Sequence, residues 1–130
     1  IKQTLEMAKL ASCYLVGIGE TSVDSTLAKM GYINPTEMER LRQQGAVGNI
    51  LGQFFNVKGE AVDCDLHRRI VALSLKDLKK MKNVIGIAGG KGKIKAILGA
   101  LCGGYIKILI TNEKTAEEVM SLEAKEGKKL

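Results

Sequence analysis

The chain has no tryptophan, one proline (Pro35) and one histidine (His67), and aromatic residues make up only 4% of it. A metal site needs several ligands of the right type, and no cluster suggests them. No serine or cysteine elbow accompanies it either, so a histidine-based catalytic triad has no footing. With Arg68 and Arg69 beside it, His67 is expected on a polar surface or near a phosphate. The three cysteines, Cys13, Cys64 and Cys102, are widely spaced and form no CxxC pair. Neither a structural zinc site nor a dithiol redox motif is supported, and reduced thiols of a cytosolic protein are expected. No apolar run approaches the roughly 18–20 residues that cross a bilayer. Ile1-Lys2-Gln3-Thr4 does not resemble a signal peptide. Without an initiator methionine, the chain is expected to be processed or a piece of something longer. Internal repeats and low-complexity segments are not evident.

What remains is the make-up of one folded domain of 130 residues. Hydrophobic residues at 45% and charged residues at 26% allow enough burial to offset the ordering entropy. Twenty Lys and Arg against fourteen Asp and Glu give a net charge of +6. That surplus leaves nucleic acid, anionic lipid or a phosphorylated small molecule open as partners. Fifteen glycines point to loops whose backbone must approach something closely. The five methionines are scattered and read as core filler.

Along the chain, strand–loop–helix recurs three times. The continuous apolar run Cys13 to Gly19 reads as a buried parallel strand. A second candidate is Asn83 to Ala88, and a third is Ile106 to Ile110. Helices are expected over 2–10, from Leu27 to Met30, after Asn34-Pro35-Thr36-Glu37, after Ser74, through Ile94 to Leu101, and from Thr111-Asn112 to about Lys125. Ile50 to Phe55 and Ala61-Val62 read as a hairpin about the turn Asn56 to Glu60, and Ile70 to Leu73 as a short β-like run. The tail 127–130 is expected to fray. The expected fold is α/β, a mainly parallel sheet with flanking helices and an inserted β-hairpin. Ligands of such sheets bind beyond the strand carboxyl ends.

Three clusters fall at those ends. Ala88-Gly89-Gly90-Lys91-Gly92-Lys93 combines a tight glycine turn with a helix start, the elements of an anion site. Lysines there oppose the helix dipole unless an anion is present. A plain strand–helix turn with solvated lysines is the competing reading, and the spacing is not that of a P-loop. Gly17-Ile18-Gly19 resembles the start of a dinucleotide fingerprint, but Ser22 stands where the third glycine belongs, which also fits a close-packed turn. Thr111-Asn112-Glu113 either places an amide and a carboxylate in the cleft or caps the last helix.

Taken in order, Gly17-Ile18-Gly19, Gly45-Ala46-Val47-Gly48, Phe54-Phe55-Asn56 with Gly59, Arg69-Ile70, Ala88-Gly89-Gly90 with Lys93, and Leu109-Ile110-Thr111-Asn112-Glu113 form a set. This set resembles the effector-binding domain of SorC/DeoR-type bacterial transcriptional regulators over about residues 3–120. The resemblance implies a fold related to ribose-5-phosphate isomerase and glucosamine-6-phosphate deaminase. It implies a phosphorylated sugar as effector, a cytoplasmic homo-oligomer (dimer or tetramer), and DNA contact only through an N-terminal helix-turn-helix module outside this chain. Residues 1–130 would be the C-terminal portion of the sugar-binding domain. Carried over by position, Gly89, Gly90 and Lys93 would face the phosphate. Gly17, Ile18, Gly19, Ala46, Val47 and Gly48 would line the cleft, with Arg69 a further anion contact. Asn49 and Asn112 stand where the family usually has acids, and Glu113 follows Asn112. An amide accepts a hydrogen bond but also donates one and carries no charge.

No catalytic residue, metal or cofactor is expected. The competing activity is a sugar-phosphate isomerase or deaminase, which needs groups placed for proton transfer, and Glu20, Glu113 and Lys93 are the candidates. Residues 76–95 hold seven lysines and one aspartate, and the rest of the chain is neutral. The surplus thus lies on one short helix and at the glycine turn. That position favours a phosphate in the cleft over an element that enters a DNA groove.

Overall fold

The computed structural model describes residues 1–127, so the tail, beyond Gly127, lies outside the described residues. The helices are α1 (Lys2–Lys9), α2 (Thr26–Lys29), α3 (Pro35–Gln43), α4 (Leu66–Arg69), α5 (Leu75–Lys80), α6 (Ile94–Cys102) and α7 (Glu113–Gly127). The strands are β1 (Tyr14–Gly17), β2 (Gly19–Glu20), β3 (Ala46–Ile50), β4 (Gln53–Asn56), β5 (Val84–Ile87) and β6 (Ile108–Ile110), and a 3-10 turn spans Lys91–Lys93. β1, β5 and β6 form a parallel sheet in that order, and β2, β3 and β4 form an antiparallel one. The expected α/β class holds.

Local signals explain most helix starts. Asn34 accepts from the Glu37 N–H (2.8 Å) while the Glu37 carboxylate accepts from the Asn34 N–H (3.0 Å), a full capping box ahead of Pro35. Ser74 and Asp77 repeat the arrangement at α5. Those donors, with the Ser74 hydroxyl, hold the Asp77 carboxyl below the usual carboxylate range.

Two cores result. One lies between the parallel sheet and helices α5, α6 and α7, with Val16, Ile18, Val84, Leu78, Ile97, Leu98 and Val119 in one cluster with Ile50 and Phe55. The other joins Met38 and Leu41 of α3 to Ala46, Phe54, Val62 and Leu66. The antiparallel sheet stands between them, giving Phe55 to the first and Phe54 to the second.

Three expectations are corrected. The hairpin is β3–β4 and turns at Leu51-Gly52, not at Asn56 to Glu60. Both turn residues have positive φ (53° and 76°), as a two-residue type I′ turn demands, and a leucine in that role is a poor signal. The Asn56–Glu60 turn exists, but it leads only to a single bridge between Phe55 and Ala61. Ile70 to Leu73 is not a strand; the Gln53 side chain holds it instead, donating to the Leu73 carbonyl and accepting from the Leu75 N–H (3.1 Å). Met7, Met30 and Met120 are exposed, and only Met38 is fully buried.

β3 lies unusually close to α6. A Cβ on Gly48 would stand 2.8 Å from the Gly19 carbonyl oxygen and 2.9 Å from the Ala96 Cα, with the Ala96 methyl closer still. Because backbone cannot yield as a flexible side chain does, Gly48→Ala is expected to destabilise the fold by about 1–3 kcal/mol in urea titration. An unchanged midpoint would show that the sheet can lift from the helix.

Candidate functional site

The three parallel strands end level with one another: Gly17 pairs with Ile87, and Ile87 with Ile110. Just past those ends come the three sequence clusters, so the parallel register brings them to one edge. There they form two groups.

The first group follows β1. Gly19 pairs with Asn49 and Glu20 with Gly48, so β1 passes through buried Ile18 into the antiparallel sheet. Asn49 is buried with its amide against Gly19, where a Cβ would stand 2.5 Å from Nδ2. Beside this ladder opens a cleft of about 480 Å³. Ala46 and Val47 line it, whereas Gly17, Ile18, Gly19 and Gly48, grouped with them in the sequence, do not. Its charged border is Arg42, Lys91 and Lys95 with a single acid, Glu20. Thr21 also lines it, and the Thr21 and Ser22 hydroxyls are buried without a hydrogen-bond partner.

The second group sits at the ends of β5 and β6. The Gly90 N–H donates to the Thr115 hydroxyl (3.0 Å), and the Thr115 N–H donates to Asn112 Oδ1 (2.9 Å). Asn112 is therefore the cap of α7, while its amide nitrogen lies over Gly89, 2.9 Å from where a Cβ would stand. The Thr111 hydroxyl beside it is buried and unpartnered. Glu113 is exposed in the first turn of α7.

Lys93 joins the ends of β1 and β5. Its Nζ donates to the Ile18 carbonyl (2.9 Å), so the side chain turns inward. Lys91 and Lys95 border the cleft in its place, two positions to either side and on one face at helical spacing. Arg69 is not brought to the cleft. It pairs with Glu37 (3.6 Å) and lines a separate cavity of about 200 Å³ beside α3. Arg42 was not singled out from sequence, because its place depends on how α3 packs on β3. Glu20 borders the cleft and Glu113 does not, so the two carboxylate candidates for proton transfer are not brought together there. Among the described residues, no three His, Cys, Asp or Glu side chains gather to hold a metal, and no helix is long and apolar enough to cross a membrane.

The family model described as "Putative sugar-binding domain" matches residues 1–121. Over 125 residues the chain is 37% identical to the transcriptional regulator LsrR of Enterobacter sp. (strain 638), a match covering 94% of this chain and 39% of that one. The chain belongs to the sugar-binding-domain family of SorC/DeoR-type transcriptional regulators. Two solved members agree. A DeoR family regulator from Listeria monocytogenes superposes with a TM-score of 0.86 at 31% identity, over 92% of this chain and 48% of that one. The sugar-binding domain of a transcriptional repressor from Vibrio fischeri gives 0.85 at 34% identity, over 95% and 50%. The chain thus spans about half of these solved relatives. Its curated relatives are named as regulators, which does not favour the isomerase or deaminase reading.

The lone histidine of this sugar-binding domain has a structural task away from the cleft, not the surface or phosphate contact expected of it. His67 Nε2 accepts from the Phe54 N–H (2.9 Å), and the ring stacks on Phe54 at 6.2 Å between centroids. Nδ1 therefore carries the proton and faces Asp63 at 3.9 Å. Burial lowers the imidazole pKa below its ordinary 6.5, only partly opposed by Asp63. The unfolded chain then binds the proton first, so stability is complete above pH 6.5 and declines as pH falls from there towards the lowered folded value. Urea midpoints between pH 7.5 and 5.5 are expected to fall more for the native chain than for His67→Gln, and equal falls would remove His67 from that role.

Proposed function

We propose that this domain senses a phosphorylated sugar in the cleft at the carboxyl end of β1. The observation that carries the reading is the cation set Arg42, Lys91 and Lys95 around a cavity with one acid and a partnerless threonine hydroxyl. A phosphate monoester carries about −1.5 to −2 charges near neutrality, which Lys91 and Lys95 complement together with Arg42, whose exposed pair with Glu39 (3.6 Å) is weak enough to share. It also relieves the repulsion of Lys91 and Lys95 by the positive end of α6. The sugar hydroxyls find acceptors and donors in Glu20 and Thr21. Lys93 has two ammonium protons beyond the one given to Ile18, and Gly89, Gly90 and Asn112 extend the polar edge along the neighbouring strand ends.

In the longer protein, the bound state would be passed to a DNA-binding module within a cytoplasmic homo-oligomer. Such coupling requires the sugar to bind the DNA-competent and DNA-free states with different affinities.

Titration calorimetry tests the site with ribose 5-phosphate and glucosamine 6-phosphate, and inorganic phosphate as the minimal anion. Arg42→Ala and Lys95→Ala are each expected to weaken sugar-phosphate binding about tenfold or more, because each removes a charge-assisted contact. Both side chains are exposed, so circular dichroism should not change. Affinities unchanged in both variants, or no heat with any sugar phosphate, would overturn the reading.

A further inference from the structure

The cations that the cleft does not use are gathered as well, at the other end of the parallel sheet. The strands begin at Tyr14, Val84 and Ile108. Around those amino ends stand Lys9, closing α1, then Lys76, Lys79 and Lys80 of α5, Lys82 just past it, and Lys107 just before β6. All six are exposed.

Contacts between distant parts of the chain hold them there. Lys9, Lys80 and Lys82 line one hollow of about 510 Å³ with Ser12 and Asn83. Lys107 Nζ donates to the Lys79 carbonyl (3.1 Å) and to the Gly104 carbonyl. A Cβ on Gly104 would stand 3.9 Å from Lys107 Nζ and 4.0 Å from Lys79 Cε. Lys76, Lys79 and Lys80 share a face at helical spacing. Among the described residues, the only ion pair that any of the six makes is Lys9 with Asp77, at 3.6 Å. That carboxylate also accepts from the Ser74 N–H and hydroxyl.

Helix stability accounts for part of this set. Lys79 and Lys80 lie in the last turn of α5, and Lys107 covers its carbonyls, as the dipole favours. It does not account for Lys76, which stands in the first turn and opposes the dipole, nor for Lys82 beyond the helix. Like charges brought together repel, and an external polyanion relieves them. The side-chain chemistry selects which one. Lysine is a hydrated point charge without the arginine fork, so it suits a row of phosphates better than one oriented anion. Tyr14, the aromatic ring of the hollow, is half-buried and gives its hydroxyl to the Lys9 carbonyl (2.9 Å), so it offers no platform for unpaired bases. Duplex DNA presents one charge per about 1.7 Å of its axis. The relatives are named as regulators of transcription, so DNA is the polyanion at hand.

We propose that the lysine patch at the amino ends of the parallel strands holds the phosphate backbone of duplex DNA. The contact is with phosphates alone: no element enters a groove, and no base sequence is preferred. A DNA-binding module elsewhere in the longer protein would keep the duplex close, and tethering lets a weak contact add to affinity. The patch shares no cation with the cleft, so the proposal stands or falls apart from sugar binding.

Fluorescence anisotropy of a labelled, mixed-sequence duplex tests it on the 130-residue chain. Engagement of about four phosphates should cost roughly a hundredfold in affinity between about 50 and 200 mM salt. The triple variant Lys76→Gln, Lys80→Gln, Lys82→Gln removes three charges that make no hydrogen bond or ion pair among the described residues, so circular dichroism should not change. Its low-salt affinity should fall about tenfold or more, and its slope of log K on log salt should shrink by about two to three. A matched triple on α2 and α7, Lys29→Gln, Lys114→Gln, Lys125→Gln, loses the same charge from exposed sites and should stay within about threefold of the native chain. Equal losses in the two triples overturn the proposal, since net charge alone would then be at work. So does an absence of duplex binding at low salt. Tighter binding of phosphatidylserine vesicles or of polyglutamate, lost in the first triple, also overturns it by giving the patch to a membrane or an acidic protein.

Discussion

The structure depends on how closely the antiparallel sheet seats on α6. Ala96, Gly99, Ala100 and Gly103 recur along one side of that helix at intervals of three and four. Phe55 and the backbone of Gly48, Asn56 and Gly59 lie against them. A Cβ on Gly99 would stand 2.6 Å from the Asn56 carbonyl oxygen, so the contact is made by backbone on both sides. The Tyr105 hydroxyl donates to the Gly59 carbonyl, and its ring packs on Phe55 at 5.4 Å between centroids. Dispersion falls steeply with separation, so a seat this close adds attraction that larger side chains would prevent. Four of the fifteen glycines, Gly48, Gly59, Gly99 and Gly103, serve this seat and not a ligand loop.

The same seat sets the dimensions of the cleft. Val47 belongs to β3, and Lys91 and Lys95 belong to the turn and first residues of α6. Their separation is fixed by the approach of Gly48 to Ala96, and the lysines are thereby held near Arg42 at the end of α3. The Lys93 hydrogen bond to Ile18 pins the third side of the arrangement, the end of β1. Charge that a flexible loop would spread into solvent is concentrated at one opening. The other lysines of the basic stretch, Lys76, Lys79, Lys80 and Lys82, are exposed around α5. Lys107 caps that helix from outside by donating to the Lys79 carbonyl (3.1 Å).

What could be read from the chain in advance was whatever depends on neighbours in sequence. The caps at Asn34 and Ser74, the apolar stripe of α6 and the glycine that follows β5 are of this kind, and each occupies its expected place except Leu101, which ends the stripe exposed. What could not be read depends on distant partners. The Ile70–Leu73 run is extended and apolar, but its hydrogen bonds go to the Gln53 side chain, so no ladder forms. Arg69 neighbours Ile70 in the resemblance, yet Glu37, 32 positions away, holds it elsewhere. Lys93 and Lys91 look equivalent in the glycine turn. Only the carbonyl of Ile18, 75 residues away, distinguishes the lysine that turns inward from those at the opening. The candidate site was therefore legible as a place, the strand carboxyl ends, and only partly as a set of side chains.

The two cores explain how the three-stranded parallel sheet can be ordered with one face bare. An isolated three-stranded parallel sheet with helices on one side would bury little. Here β1 runs on into β2, and the antiparallel sheet adds a second cluster in which Phe54, Met38 and Leu41 are almost completely buried. That second core needs nothing from the bare face. The unit can thus hold its cleft in shape while its remaining apolar surface stays available. β1 runs on through Ile18 into β2, whose Glu20 borders the cleft, and Leu15 in the middle of β1 belongs to the bare face. This continuous stretch of backbone therefore joins the rim of the cleft to the middle of the bare face.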